Sequence, residues 1–247
     1  MTLPLFISSE TLIANQVVTL DGNEGRHAVS VRRIRVGERI ELTDGRGVRA
    51  TCTVLEVKKN SLSAKIESIT LEPKPEVSFI AVQALAKGDR ADLALEILTE
   101  VGIDVLVPWA ATHSIAKWDD PEKGLAKWRR TVQEACKQSR RTRFPQVEAL
   151  KNLEEVAELI ATADLAIVLH ETADASITDI NVPAAGRVVL VIGPEGGISS
   201  DELMKFRESG ANVVRMGNSV MRTSTAGGAG LACLISRTKR WSIKSGE

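Results

Sequence analysis

Two glycine-bearing turns carry the residues of this sequence best suited to chemistry: Gly193-Pro194-Glu195-Gly196-Gly197 and Met216-Gly217-Asn218-Ser219. Glu195 is a carboxylate set among glycines, which lack a Cβ, reach positive φ and let a ligand approach bare backbone. Pro194 has no N–H to give to a strand ladder, so the first turn ends whatever strand precedes it. Past the second turn stands Arg222, followed by a run of tiny residues, Ala226-Gly227-Gly228-Ala229-Gly230. In a helix each of those glycines costs about 1 kcal/mol of propensity against alanine, so the run predicts a neighbour packed hard against that backbone. A carboxylate beside such turns suits a neutral or cationic ligand better than a pyrophosphate. Neither turn reads G-x-G-x-x-G, and no Walker lysine follows the first. One glycine turn alone would be read as a simple connection; two together, with a glycine-packed helix behind them, point to a site.

The elements that must position these turns are legible around them. Arg187-Val-Val-Leu-Val-Ile192 is a continuous aliphatic run, as expected of a parallel strand buried on both faces. Ser199-Ser-Asp-Glu202 is a capping box that starts a helix at once, and Ala211–Arg215 returns as a strand. Upstream, from Val77, strands and helices alternate: strand Val77–Leu85, a helix capped by Asp89 and stopped by Gly102, strand Ile103–Trp109, helix Pro121–Arg141, a helical spacing at Leu153, Val156, Ala157 and Ile160, and strand Ala163–Leu169. That alternation predicts an α/β fold with a parallel sheet covered by helices. In such sheets the ends of strands are where nucleotide-like ligands bind.

The first seventy or so residues read differently, as short strands and polar turns. Arg39–Thr43 and Val48–Val57 form a hairpin about the Asp44-Gly45 turn signal, and Leu62–Ile69 is a further strand. Short strands in so small a unit suggest a little β-barrel. Leu71-Glu-Pro-Lys-Pro-Glu76 has the composition of a stiff linker, which divides the chain into domains at residues 1–72 and 77–247.

The 247 residues are 43% hydrophobic and 26% charged, ordinary for a soluble globular protein. No apolar run approaches the roughly 20 residues that span a bilayer, and Leu3–Ile7 is too short for a signal peptide, so a cytoplasmic location is expected. Cys52, Cys136 and Cys233, and His27, His113 and His170, are scattered without ligand spacing, so no metal is expected. Net charge is zero, yet the charges cluster. Arg26, Arg32, Arg33 and Arg35 lie together without an acid among them. Lys127, Arg129, Arg130, Lys137, Arg140, Arg141 and Arg143 accompany Glu134 alone. Such a neutral total can hide a basic face for nucleic acid. A charged helix face is otherwise simply solvated, and a histidine such as His27 within a barrel is more often structural. Trp109, Trp118, Trp128 and Trp241 are read as core or interface fillers rather than base-stacking residues.

At this point a resemblance emerges. Leu190-Val-Ile-Gly-Pro-Glu-Gly-Gly-Ile-Ser-Ser-Asp-Glu-Leu203 with Met216-Gly-Asn-Ser-Val-Met-Arg-Thr-Ser-Thr-Ala226 resembles the small-subunit ribosomal RNA (uracil-N3)-methyltransferases of the SPOUT class. Arg26-His27, Val31-Arg32-Arg33, Gln83-Ala-Leu-Ala-Lys-Gly-Asp89, Glu100-Val-Gly-Ile-Asp104 and Gln138-Ser-Arg140 extend the likeness over the whole chain. The resemblance implies an N-terminal PUA-like β-barrel, a C-terminal α/β domain with a deep trefoil knot, S-adenosylmethionine as methyl donor, 16S ribosomal RNA or the small subunit as substrate, and a homodimer. It also implies three strand-end loops around the cofactor: Leu169, His170 and Glu171; Ile192, Gly193, Pro194, Glu195, Gly196 and Gly197; Met216, Gly217, Asn218, Val220 and Met221. Arg222 and Glu195 are the expected catalytic residues. Arg26, His27, Arg32, Arg33, Arg35, Lys87, Arg130, Arg140, Arg141 and Arg143 are the expected RNA contacts. The chain departs from the family pattern at Asn218-Ser219, where members often have Pro-Arg, and at Ser224, where many have Glu. Another base or RNA as acceptor, or a noncatalytic RNA-binding role, are the alternatives.

Overall fold

The computed structural model describes residues 3–242. The chain forms two compact units: one holds the residues up to Lys74 together with Cys136–Phe144, the other Pro75–Ala135 with the chain from Pro145 onward.

The first unit contains β1 (Leu5–Ile7), β2 (Val17–Leu20), a short helix α1 (Gly22–Arg26) that runs on through a π turn at His27–Val31, and then β3 (Arg39–Thr43), β4 (Val48–Val57) and β5 (Leu62–Leu71). Its sheet has the order β1-β3-β4-β5-β2. Alternation along β4 drives Ala50, Cys52 and Val54 into a core shared with Phe6, Ile40, Leu42, Leu62 and Ile66. The expected hairpin forms as read, with the Asp44 carboxylate accepting from the N–H groups of Arg46 (2.7 Å) and Val48 (3.2 Å).

The helical stretch Gly22–Val31 departs from the all-β reading. Gly25 lies against the carbonyls of Leu20 and Asn60, where a Cβ would stand 2.5 and 2.6 Å from their oxygens. The Glu24 carboxylate accepts from the N–H of Ile7 (3.1 Å) and pairs with Lys137 Nζ (2.7 Å). These tertiary ties outweigh the poor helix propensity of glycine and valine.

Segment Cys136–Phe144 is woven into this unit. Thr142, 1% exposed, donates its hydroxyl to the Glu72 carboxylate. Its carbonyl accepts from Thr43 Oγ1 (3.2 Å) and Gly47 N (2.8 Å). Phe144 N donates to Gly45 O (2.8 Å), and the Phe144 ring fills the space beside Gly45 that a Cβ would need.

The second unit runs β6 (Val77–Ala84), α2 (Asp89–Val101), β7 (Val105–Trp109), α3 (Pro121–Ser139, whose last turn passes into the first unit), β8 (Gln146–Val147), α4 (Leu153–Ala161), β9 (Leu165–Leu169), β10 (Ala175–Ser176), β11 (Gly186–Ile192), α5 (Ser200–Glu208), β12 (Asn212–Arg215) and α6 (Thr223–Ile235). The sheet is parallel throughout, in the order β10-β12-β9-β11-β6-β7-β8. β11 lies inside it with Val188 through Ile192 buried, as its aliphatic run predicts. On one face Trp109 meets Phe206 edge to face at 5.2 Å.

Three sequence expectations need correction here. Asp89 is the first helical residue of α2 rather than its cap; Gly88 holds the cap position at φ +62° with no side-chain bond. Trp241, read as a core or interface filler, fills no core: it is 51% exposed at the end of a short 3-10 turn, Lys239–Trp241. Lys137, read as part of a phosphate-contacting face, is largely buried in its pair with Glu24.

The close neighbour that the α6 glycines imply is the unit itself. A Cβ on Gly228 would stand 2.1 Å from Ile97 Cγ2 of α2, and one on Gly227 3.1 Å from Ile192 Cγ1. Among the described residues no helix is long and apolar enough to cross a membrane.

Candidate active site

Strands β12, β9 and β11 are neighbours in the sheet, so their three C-terminal loops emerge side by side. Together with the first turn of α6 they enclose a cavity of about 110 Å³. Leu169, His170 and Glu171 follow β9; Ile192, Gly193, Pro194, Gly197 and Ile198 follow β11; residues 214–221 end β12 and lead to Thr223 and Ala226.

Each loop is held by specific bonds. Gly197 (φ +77°) and Gly217 (φ +96°) take the left-handed backbone that side chains rarely adopt. Thr223 Oγ1 donates to Gly193 O (2.7 Å) and accepts from Gln83 Nε2 (3.0 Å), which fastens the first turn to the start of α6. His170 N donates to Val214 O (2.9 Å), and Thr172 N donates to His170 Nδ1 (3.3 Å), which fixes the imidazole as acceptor at that nitrogen.

The capping box at α5 does more than start a helix. Glu202, 2% exposed, accepts from the N–H and hydroxyl of Ser199 (2.9 Å each) through one oxygen. Its other oxygen accepts from the N–H and hydroxyl of Thr112 (2.7 and 2.9 Å). Burial raises its pKa, but these four hydrogen bonds outweigh that and hold the carboxyl below its ordinary range. The bonds also tie the Ala110–Ser114 loop behind the first turn. His113 Nδ1 lies 3.2 Å from Gly197 O, and a Cβ on Gly196 would meet His113 Cβ at 2.9 Å.

The cavity therefore gathers most of the residues expected around a cofactor. Glu195 and Gly196 do not line it: the Glu195 carboxylate lies 3.9 Å from Arg90, and Gly196 backs onto His113. Sequence reasoning missed Ile198, Val214, Arg215, Thr223 and Ala226. Arg215 ends a strand and Thr223 opens a helix, positions where a polar side chain at a strand-end site is a usable signal. Arg222 is exposed and caps α6, its carbonyl accepting from Thr225 N and Ala226 N (2.9 Å each). It stands between two lining residues, Met221 and Thr223, without lining the cavity.

The expected RNA contacts divide between the units. Arg26, Arg32, Arg33 and Arg35 are exposed in the first unit. His27 is packed edge to face on Phe6 at 5.9 Å, the structural role a histidine in a small barrel more often has. Arg140 and Arg141 are half-buried in the same unit, and Arg143 donates to the Glu72 carbonyl, which removes part of its fork from solvent. Lys87 and Arg130 are exposed in the second unit. Among the described residues no cluster of metal-ligating side chains occurs.

Chemically, the cavity offers an aliphatic floor at Leu169, Ile192, Ile198 and Ala226, backbone N–H and C=O groups from three loops, and charges of both signs at Glu171 and Arg215. That set suits a molecule with a flat apolar part and a zwitterionic end.

The profile of a family described as RNA methyltransferase domain matches residues 72–235, and one described as RNA methyltransferase PUA domain matches residues 20–67. The ribosomal RNA small subunit methyltransferase E of Mycobacterium tuberculosis is 40% identical over 237 residues, covering 94% of this chain and 90% of its own length. The protein of the same name from Aquifex aeolicus is 31% identical over 222 residues, covering 88% and 93%. Among solved structures, ribosomal RNA small subunit methyltransferase E from Neisseria gonorrhoeae, bound to S-adenosyl methionine, superposes with a TM-score of 0.86 at 28% identity, covering 95% of this chain and 98% of its own.

Proposed function

Because this chain belongs to the RNA methyltransferase family that includes the ribosomal RNA small subunit methyltransferases E, we propose that it methylates N3 of a uridine in 16S ribosomal RNA, with S-adenosylmethionine as donor. The observation that carries the reading is the strand-end cavity and its donor set. Its aliphatic floor fits an adenine ring, and backbone groups of the three loops fit the ring's polar edge. Glu171 and Arg215 match the ammonium and carboxylate of a methionine moiety. When bound, S-adenosylmethionine supplies a methyl group activated by a sulfonium.

The chain's own residues have the rest of the work. Uracil N3 carries a proton at neutral pH, so the ring must be positioned and its developing anion stabilised. Arg222, exposed at the start of α6 beside the cavity, is assigned to hydrogen-bond a uracil carbonyl oxygen as charge spreads onto it. Glu195 accepts the N3 proton or holds the first turn; its contact with Arg90 favours the holding role. The exposed arginines from Arg26 to Arg35 are assigned to RNA phosphates, which set register without doing chemistry. The reading includes the trefoil knot, a cytoplasmic setting that follows from a ribosomal substrate, and a homodimer, for which the 76% exposure of Val220 beside the cavity is the supporting feature.

The test uses purified protein, isotopically labelled S-adenosylmethionine and small ribosomal subunits from a strain lacking the corresponding gene. Nucleoside mass spectrometry of the digested RNA should find labelled 3-methyluridine. Label on another nucleoside would overturn the assignment to N3, and no label at all would favour a noncatalytic RNA-binding protein.

A further inference from the structure

A second cavity lies in the same unit, apart from the residues that line the first. It encloses about 370 Å³ between the end of β6, the first turn of α2, residues 115–118 and the side of α3. Its walls include Leu85, Ala91 and the Trp118–Trp128 pair, which meet edge to face at 5.5 Å. Trp118 is seated by design of the sequence: a Cβ on Gly124 would stand 2.3 Å from the indole, so only glycine admits it. That glycine sits inside α3, where it costs about 1 kcal/mol against alanine. Lys87, Lys117 and Lys127 line the same cavity. Asp92 is the one acid lining it and is paired with Lys127 at 2.9 Å. Lys87 and Lys117 are exposed and make no ion pair among the described residues.

Residues next to this cleft in the chain touch the glycine turn after β11. Arg90, next to the lining residue Ala91, reaches Glu195 of the first turn at 3.9 Å. His113, two residues before the lining residue Ile115, rests on Gly196 and Gly197.

We propose that this cleft holds one unstacked nucleotide of the substrate RNA, a neighbour of the target uridine, with its base against the Trp118 wall and its phosphates at Lys87 and Lys117. The inference rests on the RNA methyltransferase reading and adds a specificity subsite to it. A base to be methylated at N3 must leave its stack, because N3 faces its pairing partner, and an enzyme that extrudes a base benefits from anchoring the strand beside it. An aromatic wall with ammonium groups is the chemistry that recognises single-stranded nucleic acid. A cavity of this size suits one small flat molecule, and its two unpaired ammonium groups complement the phosphates on either side of a nucleotide.

The full chain is assayed for binding to small-subunit ribosomal RNA across a salt series, and separately for S-adenosylmethionine affinity by calorimetry. The double substitution Lys87→Ala, Lys117→Ala removes two phosphate contacts. It should flatten the slope of log K against log salt by about 1.4, the single-strand value for two charges. Trp118→Ala should weaken RNA binding about 5- to 160-fold, and Trp118→Phe should restore most of it. Cofactor affinity should be unchanged in all three. Trp118→Ala also loosens the contact with Gly124 and Trp128, so if it fails to fold the surface lysine pair decides. Unaltered RNA affinity and salt slope in that pair would overturn the subsite while leaving the methyltransferase reading intact. A wild-type protein that neither binds nor methylates the RNA would overturn both.

Discussion

Replacing Glu202 by Gln tests how the site is braced. The carboxylate accepts four hydrogen bonds, two from Thr112 and two from Ser199, all between 2.7 and 2.9 Å. A glutamine that keeps its oxygen toward Thr112 turns an amide NH2 toward the Ser199 N–H, donor against donor. The Ser199 hydroxyl can rotate to accept; the N–H cannot, and a buried unsatisfied N–H costs about 1–3 kcal/mol. Loss of charge weakens the Thr112 pair as well, since hydrogen bonds to charged groups are worth about 1.5–3 kcal/mol and neutral ones about half that. The sum is about 2–4 kcal/mol, or a fall in Tm of about 4–16 °C at roughly 2–4 °C per kcal/mol for a chain of this size. Urea unfolding at pH 7 measures it. The pH dependence is a second check. The folded carboxyl is held below its ordinary range, so its contribution is fully present above the unfolded value of about 4.3 and is lost as pH falls through the folded value. The gap between wild type and variant should be level from pH 6 to 8 and close in acid below about pH 4. Equal stability at pH 7, or a gap that stays constant to pH 3, would refute this account of the brace.

Gly228→Ala should destabilise by about 1–3 kcal/mol through overpacking against Ile97, and adding Ile97→Ala should recover part of the loss, which a double-mutant cycle by denaturant unfolding will show. Arg222→Ala should lower turnover about 10²- to 10³-fold with little change in S-adenosylmethionine affinity; poor cofactor binding with normal turnover at saturation would make Arg222 a cofactor residue instead. Glu195→Gln should leave the pH dependence of the rate unaltered if the carboxylate only holds its turn, and should shift it if the carboxylate is the base. Burial pushes the Cys52 and Cys136 thiols up to about 12, whereas Cys233 is only half-buried. A thiol reagent at pH 8 should therefore label Cys233 well ahead of the other two, read by peptide mass spectrometry.

What the sequence made legible was local. The aliphatic run of β11, the glycine turn after it and the Ser199–Glu202 box announce strand, turn and helix from neighbouring residues alone, and the site grew from them. Glu202 shows where that stops: its bond to Ser199 is written in a four-residue motif, but its bond to Thr112 joins residues 90 positions apart. Lys137 looked like one more cation on a basic helix because its partner, Glu24, lies 113 positions away. The helix at Gly22–Arg26 escaped notice because its stability comes from carbonyls and a carboxylate that it meets only in the folded unit. Val214 was overlooked as a lining residue for a related reason: strand order, which brings β12 beside β9, is not a property of either strand.

The passage of Cys136–Phe144 into the first unit sets a timetable for biosynthesis. When Glu72 has been made, every strand of that unit exists, yet Thr43, Gly47 and Glu72 still lack the partner they find in Thr142, 70 residues later than Glu72. At about 5–20 residues per second the ribosome needs about 4–14 s to supply it. During that interval the Thr43 hydroxyl, the Gly47 N–H and the Glu72 carboxylate stay open to water and to other chains. The N-terminal unit is thus sealed by residues that arrive with the middle of the chain, so nascent protein stalled before Phe144 should be captured by chaperones more readily than protein released after it.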